Sequence, residues 1–262
     1  MIIQDVDAHG YQRKVTQLAI LAGQMLLQHG AESALVADIS RRFAYALGAK
    51  DVAVSLTANS LTLTTIINDN CMTTVRECPD KGINMRAVTQ IQRTCILTEK
   101  GLLDATQARY KLDHITPRRY NRWLVVLMIG LSCAAFCRLA GGDIAAILLT
   151  FLASSCGMIV RQEMGHRHFN PSLNFAVTAF VTTLVAGIGE KYQIGDTPFL
   201  AMASSVLMLV PGFPLINTFA DMVKGYINMG IARFTFASLL TLATCIGIVA
   251  AMKVLGVWGW II

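Results

Sequence analysis

Charge is the scarcest feature of this chain. Only 15% of its 262 residues are charged, against about 25% in ordinary soluble domains. Hydrophobic residues make up 54%, more than one soluble core would hide. No phosphate-binding P-loop is present, which removes support for ATP-driven pumping. No nucleophile elbow and no metal-ligand spacing occur, so no catalytic residue, metal or cofactor is expected. Internal repeats and low-complexity linkers are also missing. The N-terminus MIIQDVDAHGYQRK has two acids and no continuous apolar core, unlike a signal peptide. Seven cysteines, an odd number, argue for reduced thiols over a disulfide framework. Cys133 and Cys137 share a helix face and read as packing residues, since no histidine or second pair accompanies them.

The charge is unevenly spread. Residues 1–122 hold 15 Lys+Arg and 11 Asp+Glu, and residues 123–262 hold 7 and 5. This predicts a small α+β cytoplasmic domain over 1–118 followed by an α-helical multi-pass membrane domain over 119–262. Five apolar segments, 123–139, 144–160, 173–188, 199–216 and 234–252, approach the ~17 to 25 residues a spanning helix needs. Arg118, Arg119, Arg122, Arg161, Arg167, Lys224 and Arg233 fall on one side of that arrangement, and Arg138, Lys191 and Lys253 on the other. The bias predicts a cytoplasmic N-terminus and an external C-terminus. Trp258 and Trp260 read as anchors at the outer interface. The net charge of +6 therefore reflects orientation in a bilayer, not nucleic-acid binding.

In the first half, Val15, Leu18, Ala19, Ala22, Met25 and Leu26 form a helical stripe over 11–28 that stops at Gly30. A second helix is predicted over 33–47, ending at Gly48. Val52, Val54, Leu61, Leu63 and the β-branched run 64–67 favour strands, and Asn68-Asp69-Asn70 turns into a partner strand over 71–76. Helices return over 84–98 and 104–114.

The most informative run is PGFPLINTFADMVKGYINMGIAR, residues 211–233. It follows the apolar Leu207 to Val210, so Pro211, Gly212 and Pro214 break a helix within the membrane, where freed backbone groups must be satisfied by protein or an aqueous cavity. The spacing makes Pro214 the first residue of a half-helix and puts Asn217 and Asp221 on one face. Lys224, three beyond Asp221, could form a local ion pair with it. The competing reading is a plain interhelical loop.

His29, Glu32 and Ser33 invite an acid–base or nucleophilic reading. They also suit a helix start, with Ser33 capping and Glu32 near the positive terminus. His166 and His168 could bind metal or sense pH, although a hydrophilic loop accounts for them.

The segments QHGAESALV (28–36), KGINM (81–85), RWLVVLMIGLSCAAFCRL (122–139), LVPGFPLINTFADMVKGYINMGIAR (209–233) and SLLTLATC (238–245) resemble the threonine/serine exporter family, in the branch containing the larger subunits of two-component bacterial succinate exporters. The resemblance implies a protein of the bacterial inner membrane whose smaller membrane subunit supplies the remaining spans in a hetero-oligomer or higher assembly. It places the family pattern on Pro211, Gly212, Asn217, Asp221, Gly225, Gly230 and Arg233, and a motif of unassigned role on His29, Gly30, Glu32 and Ser33. The expected activity is secondary export of a C4-dicarboxylate such as succinate by alternating access. The half-helix start, Lys224 and Arg233 would attract the dianion, Asn174 and Asn217 would donate amide hydrogen bonds, and Asp221 would neutralise Lys224 or carry a proton. The alternatives are threonine or serine export, and a membrane-anchored hydrolase centred on His29 and Ser33.

Overall fold

The computed structural model describes residues 2–117 and 120–257. Arg118, Arg119, Trp258 and Trp260 lie outside them. The chain divides into two compact units that are discontinuous in sequence. One joins Met1–Arg118 to Pro214–Phe234, and the other joins Arg119–Phe213 to Thr235–Ile262. A single cut near residue 118 therefore does not describe the packing, because the half-helix region clusters with the first 118 residues.

In the first unit, α1 (Ile2–Gln28) and α2 (Ser33–Ala46) precede strands β1 (Asp51–Leu56), β2 (Ser60–Ile67) and β3 (Asn70–Glu77), followed by α3 (Met85–Glu99) and α4 (Ala105–Asp113). The sheet is antiparallel in the order β1-β2-β3. Asn68 and Asp69, with φ of 50° and 60°, make the tight β2–β3 turn, since both central residues of such a hairpin take positive φ. Leu61, Leu63, Thr65 and Ile67 form the buried face of β2, as a period of two dictates. They join Val15, Leu18, Leu26, Ile39 and Phe43 in one core. Gly23 allows close approach of α1 and α2, because a Cβ there would collide with Ser40 Oγ and come within 2.7 Å of Leu61 Cδ2. α1 begins at Ile2, well before the predicted start of the helix at residue 11.

The second unit contains α5 (Arg122–Leu139), α6 (Ile144–His166), α7 (Pro171–Lys191), α8 (Pro198–Ser205) and a 3₁₀ turn, Val206–Leu209. Helices α9 (Gly212–Val223) and α10 (Ile227–Leu255) run across the unit boundaries. Among the described residues, α5, α6, α7 and α10 are each long and apolar enough to cross a membrane. The broken pair Pro198–Leu209 and Gly212–Val223 would make a fifth span if counted as one. Small residues bring these helices together, as expected where lipid removes the hydrophobic drive to associate. A Cβ on Gly130 would collide with Ser155 Oγ, and one on Gly247 with Ala176 O. Outward positions such as Leu124, Leu127, Met128 and Leu131 are exposed apolar residues suited to lipid.

The break follows from the sequence around Pro211. Val210 is extended (φ −66°, ψ 121°), the conformation favoured before proline, and Gly212 N–H donates to Val210 O at 2.8 Å. α9 then starts at Gly212, so Pro214 is its third residue, where the spacing predicts the first. Proline is tolerated there because first-turn N–H groups have no intrahelical acceptor. His166 ends α6 as its last residue, and His168 lies exposed just beyond it.

Candidate functional site

The site starts with the turn between α1 and α2. Gly30 takes φ +83°, which ends α1 and frees the carbonyls from Gln28 to Ala31 for distant partners. Lys81 N–H donates to Gln28 O at 3.0 Å, and Asn84 N–H to His29 O at 3.2 Å. The Nδ1 of His29 lies 3.3 Å from Gly82 O, and because a carbonyl only accepts, this nitrogen carries the proton. The next two carbonyls receive side chains from the 214–234 segment of the same unit. Asn217 Nδ2 donates to Gly30 O at 2.9 Å, and Arg233 Nη2 to Ala31 O at 2.8 Å.

Asp221 is the centre of this arrangement. Its side chain is 0% exposed. Its Oδ1 accepts the Ser33 backbone N–H and its Oδ2 the Ser33 hydroxyl, both at 2.8 Å. Arg233 Nη1 stands 2.9 Å from Asp221 Oδ2, close enough to pair electrostatically although not aligned as a hydrogen bond. A carboxylate at a helix N-terminus with charge-assisted donors is strongly held. Ser33 is the first residue of α2, not its cap; Glu32 occupies the cap position without a capping side-chain bond, and Asp221 supplies the acceptor. Glu32 instead pairs with Lys224 at 2.5 Å on the more exposed rim. The local Asp221–Lys224 pair suggested by spacing does not form, because Asp221 pairs with Arg233 and Lys224 with Glu32.

Gly225 and Gly230 shape the segment carrying these groups. Gly225 turns the chain between α9 and α10 with φ +86°. At Gly230 a Cβ would come 2.5 Å from Met222 Cγ and 3.1 Å from Thr218 O, so only glycine lets α10 begin this close to α9. The structure thus gathers Gly30, Glu32, Ser33, Asn217, Asp221, Lys224 and Arg233, while His29 faces Gly82. Asn174, Pro211 and Gly212 belong to the other unit. There Asn174 Nδ2 donates to Arg161 O, and its Oδ1 accepts from the Thr178 hydroxyl, each at 3.1 Å.

The roles of the Gly30 and Ala31 carbonyls, and of the 81–84 loop behind them, escape a reading by residue type. Their only signal is that 28–36, 81–85 and 209–233 are segments on which the family resemblance rests. Two acids and two cations make the cluster neutral as it stands. A cavity of about 290 Å³ opens beside His29 and is lined by Gln28, Lys81, Asp113 and Leu112 among others. Among the described residues, no group of three His, Cys, Asp or Glu is placed to hold a metal ion.

Comparison with known proteins gives the context of this geometry. The ThrE family model, described as "Putative threonine/serine exporter", matches residues 17–255. The chain is 50% identical over 251 residues to the "Probable succinate transporter subunit YjjP" of Escherichia coli K12, covering 95% of this chain and 98% of that one. The protein of the same name from Klebsiella aerogenes is 50% identical over 250 residues, covering 95% and 97%. A "Probable threonine/serine exporter" of Mycobacterium tuberculosis is 24% identical over 249 residues, covering 93% of this chain but 46% of that protein. No solved structure matches.

Proposed function

Because the chain belongs to the threonine/serine exporter family, we propose that it is one subunit of a secondary exporter that carries a C4-dicarboxylate such as succinate out of the cytoplasm, working by alternating access with a smaller membrane subunit. The substrate and the subunit role are taken from the relatives named as succinate transporter subunits. The observation that carries the reading is the hold on Asp221: a buried carboxylate sits on the N–H and hydroxyl of Ser33 beside Arg233. These are donors a substrate carboxylate would use.

In this mechanism the protein's own acids occupy the cations when substrate is absent. A dianion arriving from the cytoplasm competes with Asp221 for Arg233 and with Glu32 for Lys224, and Asn217 offers an amide once released from Gly30 O. Displacing Asp221 leaves its carboxylate exposed and able to take a proton, which would couple release of the latch to proton movement. Residues 214–234 lie in the chain between the two stretches of the membrane unit, so a change in the latch is passed on by chain continuity. The cytoplasmic N-terminus and external C-terminus are part of the same proposal, supported by the Lys and Arg distribution.

A second reading is export of threonine or serine, favoured by the family description and by Asp221, which could bind an ammonium group once released. A hydrolytic role has less support, since Ser33 Oγ donates to Asp221 and His29 faces Gly82. Efflux from cells loaded separately with labelled succinate and labelled threonine tests the choice. Succinate efflux that depends on this chain and its companion subunit is the expected result. Efflux of threonine alone would transfer the reading to the amino acid, and efflux of neither would end both.

A further inference from the structure

We propose that Arg161 is an anion-binding residue of the membrane unit that contacts a carboxylate of the exported substrate; this rests on the export reading above. Arg161 lies in α6 with its guanidinium turned onto its own unit. Nη1 donates to Met208 O at 2.9 Å, and Cζ stands 4.6 Å over the Phe175 ring. Among the described residues, no Asp or Glu forms an ion pair with it. Its neighbours differ: Arg122 and Arg167 both pair with Glu163. A partly buried cation without a counter-ion in a membrane helix is a strong pointer to an anionic ligand.

The geometry explains why the arginine is held in this place. In an unbroken helix, Met208 O would accept the N–H of Gly212, but that N–H bonds to Val210 O. The carbonyl freed by the break takes one guanidinium hydrogen instead. A neutral carbonyl leaves the positive charge uncompensated and the other donors available, which orients the side chain without consuming it.

A polar strip adjoins the arginine. Asn174, Thr178 and Thr182 recur at one-turn intervals on α7, and the first two are linked by a hydrogen bond. Thr182 is fully buried, and its hydroxyl has no partner, a costly state in an apolar setting. Gly157 of α6 makes room for it, since a Cβ there would collide with Thr182 Oγ1 and come 2.6 Å from Met208 Cε. An unpaired cation and an unpaired donor hydroxyl ask for a ligand that brings acceptor oxygens and negative charge. A carboxylate does both. In the proposed orientation this end of α6 is the cytoplasmic one, where an exporter takes up its cargo.

The test is labelled-succinate counterflow in membrane vesicles from cells expressing the full chain with its companion subunit, using Arg161→Lys, Arg161→Gln and Thr182→Val. Loss of the forked guanidinium geometry should raise KM about tenfold in Arg161→Lys, loss of the charge should remove saturable transport in Arg161→Gln, and KM should rise less in Thr182→Val. A wild-type KM in Arg161→Gln overturns the proposal. If that variant does not reach the membrane, Arg161→Lys, which keeps the charge, decides by its KM. If the unaltered protein carries threonine and not succinate, the dicarboxylate reading fails and Arg161 is judged by the same shifts in threonine KM. If it carries neither, both proposals fall.

Discussion

Asp221 closes the N-terminus of α2 from 188 residues away, accepting both the backbone N–H and the hydroxyl of Ser33 at 2.8 Å. Helix ends are usually capped by the residue just before them. Here the cap belongs to a different element, so α2 and the last turn of α9 are stabilised together.

Replacing Asp221 with Asn keeps the shape and removes the charge, leaving Arg233 largely buried without its anion. Breaking a buried pair in this way costs about 3 to 5 kcal/mol. We predict a lower thermal midpoint for the purified full chain and loss of export. Asp221→Ala and Arg233→Ala combined should cost less than the sum of the singles by about 1 to 3 kcal/mol, measured in a double-mutant cycle.

Ser33→Ala removes one of the two bonds from this residue and retains its N–H. The expected cost is about 1.5 to 3 kcal/mol, the worth of a hydrogen bond to a charged group. Export should be reduced and not abolished, whereas a nucleophilic serine would show loss of a hydrolytic activity in the isolated variant with transport intact.

Lys224 and Glu32 form a partly exposed pair, so breaking it should cost only about 0 to 1 kcal/mol. Its effect should fall on transport. Lys224→Glu and Glu32→Lys alone are predicted to impair succinate efflux, and the double reversal to restore part of it.

Burial pushes the Cys78 thiol up to about 11 and the Cys95 thiol up to about 12, while Cys71 is exposed on the sheet. At pH 8 a thiol reagent should label Cys71 and leave Cys95 unmodified until the unit unfolds, as read by mass spectrometry. The folded state holds these protons more tightly than the unfolded chain does. Their contribution to stability is therefore complete below the unfolded thiol value of about 8.5 to 9 and is lost as pH rises towards 12.

Much of the architecture was legible in the residues. The apolar runs mark α5, α6, α7 and α10, the Asn68-Asp69 turn fixes the β2–β3 hairpin, and Gly30 and Gly48 end α1 and α2 with positive φ. These signals are local, set by neighbours within one turn or one strand. The partners of Asp221 and Lys224 are not local. Spacing suggested that the two pair with each other, yet their ions lie at Arg233 and Glu32, and nothing in the chain between 33 and 221 announces that closure. Arg161 was legible only as an orienting charge at a helix end; its inward turn depends on a carbonyl freed by the break near Pro211, which only the folded unit displays.

The central claim is that the contact between 30–33 and 217–233 must open during export. The direct measurement is succinate efflux from a full chain carrying Glu32→Cys and Lys224→Cys, with Cys71, Cys156 and Cys245 changed to Ser, bridged by a short cleavable bis-thiol reagent. The two substitutions lower efflux by themselves, so each rate is read against the same unbridged variant, whose remaining efflux should stop on bridging and return when the bridge is cut. A bridged protein exporting at the unbridged rate would contradict the account.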